Sequence, residues 1–181
     1  MTHRKIIANK INLVLPGELN VSGYTGKIVN YTIEKQLTDD ETWKIFVEQF
    51  RLFSDHDKCW RGEYWGKMMR GGVLTYVATK NRLLYESLTK TVEDLLSTAD
   101  EKGRISTYPP DNELIGWDMW VRKYVMLGLI YYCDICEDEQ FKEKVIATLI
   151  KEADYIIERV GNGDNLKSIF DTSQIYGGLN S

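Results

Sequence analysis

The stretch Glu139-Gln-Phe-Lys-Glu-Lys-Val-Ile-Ala-Thr-Leu-Ile-Lys-Glu-Ala-Asp-Tyr-Ile-Ile-Glu-Arg-Val160 decides the fold class. Within it Phe141, Val145, Ile146, Leu149, Ile150, Ala153, Ile156, Ile157 and Val160 recur at steps of three and four, with Lys, Glu and Asp between them. That is the period of an amphipathic helix, and Gly161 supplies the kind of residue that ends one. A matching stripe of Leu84, Tyr85, Leu88, Val92, Leu95, Leu96 and Ala99 predicts a helix over residues 82–100, stopped near Gly103. Each stripe covers one side only, so both helices belong to an outer layer.

Upstream of each outer helix the pattern changes. Tyr124-Val-Met-Leu-Gly-Leu-Ile-Tyr-Tyr-Cys133 is apolar almost all round, as is much of residues 71–78, which predicts helices buried on most sides. The links Lys80-Asn81 and Glu137-Asp138 are so short that each inner helix must fold back against its outer one as an αα-hairpin. The two hairpins repeat each other: Gly72 and Gly128, Tyr76 and Tyr132, Tyr85 and Phe141 share one offset, and a one-residue slip then pairs Leu88 with Val145 and Val92 with Leu149. A weaker third pair joins Ile28, Ile33 and Leu37 to Trp43, Ile45, Phe46, Phe50 and Phe53, opened by the capping-box pattern Thr38-Asp-Asp-Glu41.

The fold expected is therefore all-α, a stack of αα-hairpins whose units bury their faces on their neighbours. Residues 1–22 form an N-terminal arm, in which Asn12-Leu-Val-Leu-Pro16 reads equally as a short strand or as extended chain; residues 23–181 form one helical domain. A stack needs closed ends, and Asp171-Thr-Ser-Gln-Ile-Tyr-Gly-Gly-Leu-Asn-Ser181 heads toward a further inner helix without a cap, so the expectation is the front part of a longer protein.

Composition narrows the function classes. With 181 residues, 43% apolar, 12% aromatic and only 3 Pro, the chain suits one globular domain and excludes fibrous and disordered classes. A net charge of −4 without a basic run argues against nucleic acid and anionic lipid as partners. No secretory signal and no apolar run long enough for a bilayer is visible, so the expectation is a cytoplasmic chain with no membrane partner. Three cysteines fit a reducing compartment.

Chemistry concentrates at the starts of the inner helices. Trp60-Arg-Gly-Glu-Tyr-Trp-Gly-Lys67 and Gly116-Trp-Asp-Met-Trp-Val-Arg-Lys123 each combine two Trp with an acid, an Arg and a Lys. A sugar ring lays its C–H faces on indoles while its hydroxyls need charged acceptors and donors, so these clusters predict a carbohydrate substrate. The candidate substrate-binding residues are Trp60, Arg61, Glu63, Trp65, Lys67, Trp117, Asp118, Trp120, Arg122 and Lys123. The competing reading makes the Trp core anchors and the charges a solvated salt-bridge ring.

Glu63 and Asp118 suggest a pair of glycosidase carboxylates, but sequence does not set their separation, and the catalytic residues stay unassigned. Cys133-Asp-Ile-Cys136 lacks a second pair or a histidine to complete a zinc site and reads as buried small residues, Cys59 as an inert thiol; His3 and His56 receive no role. Gly71-Gly72 lies inside a helix and Gly161-Asn-Gly163 follows one, so no phosphate loop is present, and neither metal nor cofactor is expected in this chain. Gly72 and Gly128 instead permit close helix packing.

The ordered motifs Trp60-Arg-Gly-Glu-Tyr-Trp-Gly-Lys67, Gly103-Arg-Ile-Ser-Thr-Tyr108, Gly116-Trp-Asp-Met-Trp-Val-Arg-Lys-Tyr-Val-Met-Leu-Gly128 and Gly177-Gly-Leu-Asn-Ser181 resemble the β-L-arabinofuranosidase-like glycoside hydrolase family. The resemblance implies an (α/α)6 toroid, of which this chain holds about three of six hairpins, acting on plant-type oligosaccharides. It also implies a zinc site of three cysteines and a glutamate, with a cysteine thiolate nucleophile, in a part of the full-length protein beyond Ser181. None of Cys59, Cys133 and Cys136 matches that motif, and Trp120, Arg122 and Lys123 stand where relatives carry a histidine. The chain alone is thus expected to supply part of a sugar-binding wall and to be inactive. Two alternatives stay open: a noncatalytic helical-repeat protein that holds a peptide or partner helix, and an unsaturated-uronide hydrolase or lyase on the same toroid.

Overall fold

The computed structural model describes residues 21–53, 60–114 and 117–160, with Trp60 described by its backbone alone. The arm up to residue 20, His3, His56, Cys59, Gly116, Gly161 and the closing segment 171–181 lie outside the described residues. Every regular element described is helical, as the periodicity predicts: α1 (Gly23–Thr32), α2 (Asp40–Leu52), α3 (Glu63–Thr79), α4 (Arg82–Leu96), α5 (Asp118–Cys133) and α6 (Glu139–Ile157). α1 continues into a wider π-helical turn over Ile33–Leu37, and single 3-10 turns occupy Trp60–Gly62 and Pro110–Asn112.

Local chemistry sets the helix ends. The Asn81 side chain accepts from the Leu84 N–H at 3.0 Å, and Asp138 accepts from Gln140 and Phe141 N–H at 2.9 and 3.0 Å, so α4 and α6 both start on side-chain caps. Lys80 takes the left-handed conformation (φ 54°) and donates its N–H to Tyr76, which turns the chain back between α3 and α4 in two residues. α4 stops earlier than its apolar stripe predicts, at Leu96, where the Ser97 and Thr98 hydroxyls bond back to the Asp94 and Leu95 carbonyls at 2.6 and 2.8 Å. Gly103 (φ 84°) sits in the following turn, which Asp100 organises by accepting from the Lys102 and Arg104 N–H groups.

Two sequence expectations are corrected. The capping box predicted over residues 38–41 does not form: α2 begins after Asp39, and the Thr38 hydroxyl instead donates to Ile33 at 2.8 Å, closing the π-helical turn behind it. The apolar stripe of α6 divides into two faces, since Val145 and Tyr155 are buried while Ile146, Ile150 and Ile157 are 41%, 56% and 70% exposed.

α3 and α5 form the centre and run parallel, with Glu63 beside Trp120 at their starts and Arg70 against Tyr131 further along. Their backbones approach at glycine. A Cβ on Gly66 would lie 2.0 Å from the Tyr124 carbonyl oxygen, and one on Gly128 would lie 3.1 Å from Gly66 Cα. Gly72 instead makes room for a side chain of the outer helix, where Leu88 Cδ2 would meet a Cβ at 2.6 Å. α4 packs on α2 and α3, and α6 on α5. Trp43 and Trp65 meet edge to face at 6.5 Å in the core, and their indole N–H groups are satisfied by Leu37 O at 2.8 Å and Thr91 Oγ1 at 3.0 Å.

Candidate functional site

The start of α5 sends its side chains two ways. Trp117 and Trp120 face a cavity of about 340 Å³ that Glu63 and Lys67 of α3 complete. Asp118 and Arg122, together with Val121 and Val125, turn into the interior and are fully enclosed. Helical spacing separates the sets, because residues 118 and 122 share one face and residues 120 and 124 another.

Around the cavity Glu63 links Lys67 and Trp120. Glu63, 7% exposed, accepts from Lys67 Nζ at 2.8 Å with one carboxylate oxygen and from the Trp120 indole N–H with the other. Trp117 and Trp120 meet edge to face at 6.1 Å, and Trp120 and Tyr124 at 5.1 Å. Lys67 Nζ lies 4.8 Å from the Tyr124 ring centre, and Lys123 Nζ lies 3.3 Å from that of Trp120 and 4.3 Å from that of Tyr124. The result is a small aromatic cleft with one fixed carboxylate and ammonium groups at its rim. Its carboxylate oxygens and ammonium protons retain further hydrogen-bonding capacity for ligand hydroxyls.

The remaining predicted residues lie elsewhere. Trp65 is enclosed in the core, where its role is packing. Arg61 lines a separate depression of about 240 Å³ with Ile45, Phe46, Gln49 and Tyr64. The Trp60 side chain lies outside the described residues. A larger groove of about 650 Å³ runs between α2 and α4, where Arg51 pairs with Glu48 and Asp94 at 2.5 Å each and Lys90 pairs with Asp40.

Asp118 and Arg122 belong to a buried ion cluster that the sequence reading missed. Arg122 donates to Asp118 at 3.0 Å, to Glu152 of α6 at 2.7 Å and to Glu113 at 2.7 Å. Arg104 binds Glu113 at 2.5 Å and reaches the Tyr108 carbonyl, while Tyr155 donates to the other Glu113 oxygen. The Ser106 hydroxyl and Leu114 N–H donate to Asp118 at 2.5 and 2.7 Å, and the Ile105 N–H donates to Glu152 at 2.8 Å. The cluster thereby ties the loop between α4 and α5 to α5 and α6, and holds Leu114 in its left-handed conformation (φ 58°).

Three carboxylates face two guanidiniums in this cluster, and the imbalance falls on Glu152. Burial pushes its carboxyl from 4.5 to about 7 against the opposing pull of Arg122 and the Ile105 N–H. Burial also acts to raise Glu113, but hydrogen bonds from Tyr155 and Arg104 and the charge of Arg122 outweigh it and hold that carboxyl below its ordinary value. Tyr155 is pushed up to about 12 by burial and by its bond to Glu113. A raised carboxyl binds its proton more tightly in the native chain than in the unfolded one. Its stabilising contribution is full below pH 4.5 and disappears as pH rises through about 7. Glu113 works the other way, contributing above its ordinary value and failing only as pH falls below it. Stability is therefore expected to decline by about 3 kcal/mol between pH 5 and pH 8, and Glu152→Gln to remove most of that slope. Urea unfolding at the two pH values checks this; equal slopes in the variant and the parent chain contradict it.

Cys133 is half-buried, and burial followed by the neighbouring Cys136 pushes its thiol up, away from thiolate character. Among the described residues no group of three or more His, Cys, Asp or Glu is placed to hold a metal ion, and no helix is long and apolar enough to cross a membrane. Comparison of the chain with protein-family models, with curated proteins and with solved structures finds no match.

Proposed function

We propose that the cleft of Glu63, Lys67, Trp117 and Trp120 binds a saccharide, as one wall of the larger ring of αα-hairpins that the sequence motifs suggest. The observation that carries this reading is the pairing of two indoles at 6.1 Å with a carboxylate and an ammonium group around about 340 Å³, within the size range of small-ligand sites. An apolar ligand would leave Glu63 and Lys67 without added partners, and a purely ionic one would leave the indoles unused. A sugar ring uses both.

The parallel setting of α3 and α5, each followed by an outer helix, supports the hairpin-repeat arrangement and the toroid proposed from it. Catalysis on glycosidic bonds calls for two carboxylates, about 5–10 Å apart across the bond. Glu63 is the one carboxylate lining the cleft among the described residues, and Asp118 is consumed in the buried cluster. The proposed part of this chain in a glycoside hydrolase is accordingly substrate binding, with the acid–base chemistry supplied from elsewhere in such a ring.

Calorimetric titration with a panel of oligosaccharides, neutral and acidic, tests the reading. Binding in the millimolar range or tighter is expected for at least one member, with Trp120→Ala weakening it tenfold or more while the thermal unfolding midpoint stays near that of the parent chain. Heat from no member of the panel overturns it.

A further inference from the structure

We infer that the saccharide taken by this face is acidic, a run of uronate units laid along α3 and α5; the inference rests on the saccharide reading of the cleft and names its substrate class. Beyond the cleft the same face continues along both helices. Lys67 and Arg70 follow Glu63 on α3 at helical spacing, and Tyr124 and Tyr131 follow Trp120 on α5. From Trp120 to Tyr131 the helical rise covers about 16 Å, enough for several sugar rings in line.

The charges on this strip do not balance. Lys67, Arg70 and Lys123 stand against a single carboxylate, Glu63, which Lys67 already occupies at 2.8 Å. Lys123 rests on the Trp120 and Tyr124 rings without a carboxylate partner among the described residues. Arg70 places its guanidinium 5.0 Å from the Tyr131 ring, and its Nε is enclosed with no hydrogen-bond acceptor. Of the other acids, Asp118 is held in the buried cluster, Asp134 follows the end of α5, and Glu137 is paired with Arg82 at 2.6 Å. Nε itself is closed to a ligand, but no carboxylate on this strip compensates the guanidinium charge, and a guanidinium takes a carboxylate oxygen better than a hydroxyl. The chain as a whole is acidic, at −4, so a local excess of cations beside aromatic rings marks where an anion belongs. Uronates combine a carboxylate for Arg70 and Lys123 with ring faces for the indoles.

Calorimetry on the full chain with trigalacturonate and with its fully methyl-esterified form separates charge from ring recognition. The acid is expected to bind at least tenfold more tightly than the ester, and Arg70→Gln and Lys123→Gln are each expected to weaken the acid three- to tenfold while leaving the ester unchanged. Lys123 is exposed, so its variant carries the test if Arg70→Gln does not fold. Equal affinity for acid and ester overturns the inference and leaves the saccharide reading standing, whereas binding of neither form overturns both. A preference for the acid that survives in both variants overturns it by placing recognition elsewhere. Tripolyphosphate binding as tightly as trigalacturonate overturns it too, by showing a bare anion site.

Discussion

Replacing Arg122 by Met is expected to remove about 3–5 kcal/mol of folding stability, the usual effect of stripping the counter-charge from buried carboxylates. Arg122 is fully enclosed and bonds three acids at once, Asp118, Glu113 and Glu152. Arg104 reaches Glu113 alone among these, so the Met variant leaves Asp118 and Glu152 in the interior with no cation. Their negative charges have raised the Arg122 pKa further despite the opposing effect of burial, and the same coupling is lost from the acids when the guanidinium goes. Arg122→Lys is expected to recover little, because one ammonium cannot serve the three acids that the planar fork serves. Urea-induced unfolding measures the difference; a loss under 1 kcal/mol would show that the cluster is solvated and the loop between α4 and α5 held by other means.

Gly66→Ala is the second substitution with a large expected effect. The added Cβ would stand 2.0 Å from the Tyr124 carbonyl oxygen and 2.3 Å from its carbon, both backbone atoms, so relief requires moving α3 away from α5 as a whole. Overpacking typically costs about 1–3 kcal/mol where side chains can adjust. Here no side chain is available to adjust, and about 3 kcal/mol or more is expected. Gly71→Ala supplies the internal control: nothing lies within 4 Å of its Cβ position, and an interior helix residue gains about 0.5–1 kcal/mol on changing from Gly to Ala. Opposite signs at two glycines of one helix, read from thermal unfolding midpoints, distinguish close backbone approach from general helix propensity. A Gly66→Ala chain as stable as its parent refutes the tight pairing of α3 and α5.

Much of this scaffold was legible in the sequence, and particular residues show why. Leu84, Leu88, Val92 and Leu95 recur at helical spacing on a chain with polar residues between them, and all four are buried. Gly72 and Gly128 stood out as small residues in otherwise bulky apolar helices, and both lie at close contacts. Gly66 went unread because it sits among Trp and charged residues that suggested a ligand site. The same clustering merged two opposed faces of α5: a stricter application of the helical period pairs Asp118 with Arg122 beside Val121 and Val125, pointing inward, and leaves Trp120 and Tyr124 on the cleft side. Glu152 carried a signal as well, since it occupies a core position between Leu149 and Tyr155. Glu113 carried none: a loop acid acquires its partners from tertiary structure alone. The uneven exposure of α6 was likewise hidden, because apolar residues on two adjacent faces read as one wide stripe.

The central claim is that Trp120 meets a sugar while Trp43 and Trp65 serve the core. The indole N–H signals of the ¹⁵N-labelled chain, assigned by single substitutions and followed during titration with trigalacturonate and its methyl ester, test it most directly. The account expects the Trp120 signal, with that of Trp117, to shift progressively and saturate while those of Trp43 and Trp65 stay in place. Signals of Trp117 and Trp120 that remain fixed to the highest sugar concentration, or core signals that move in their stead, contradict it.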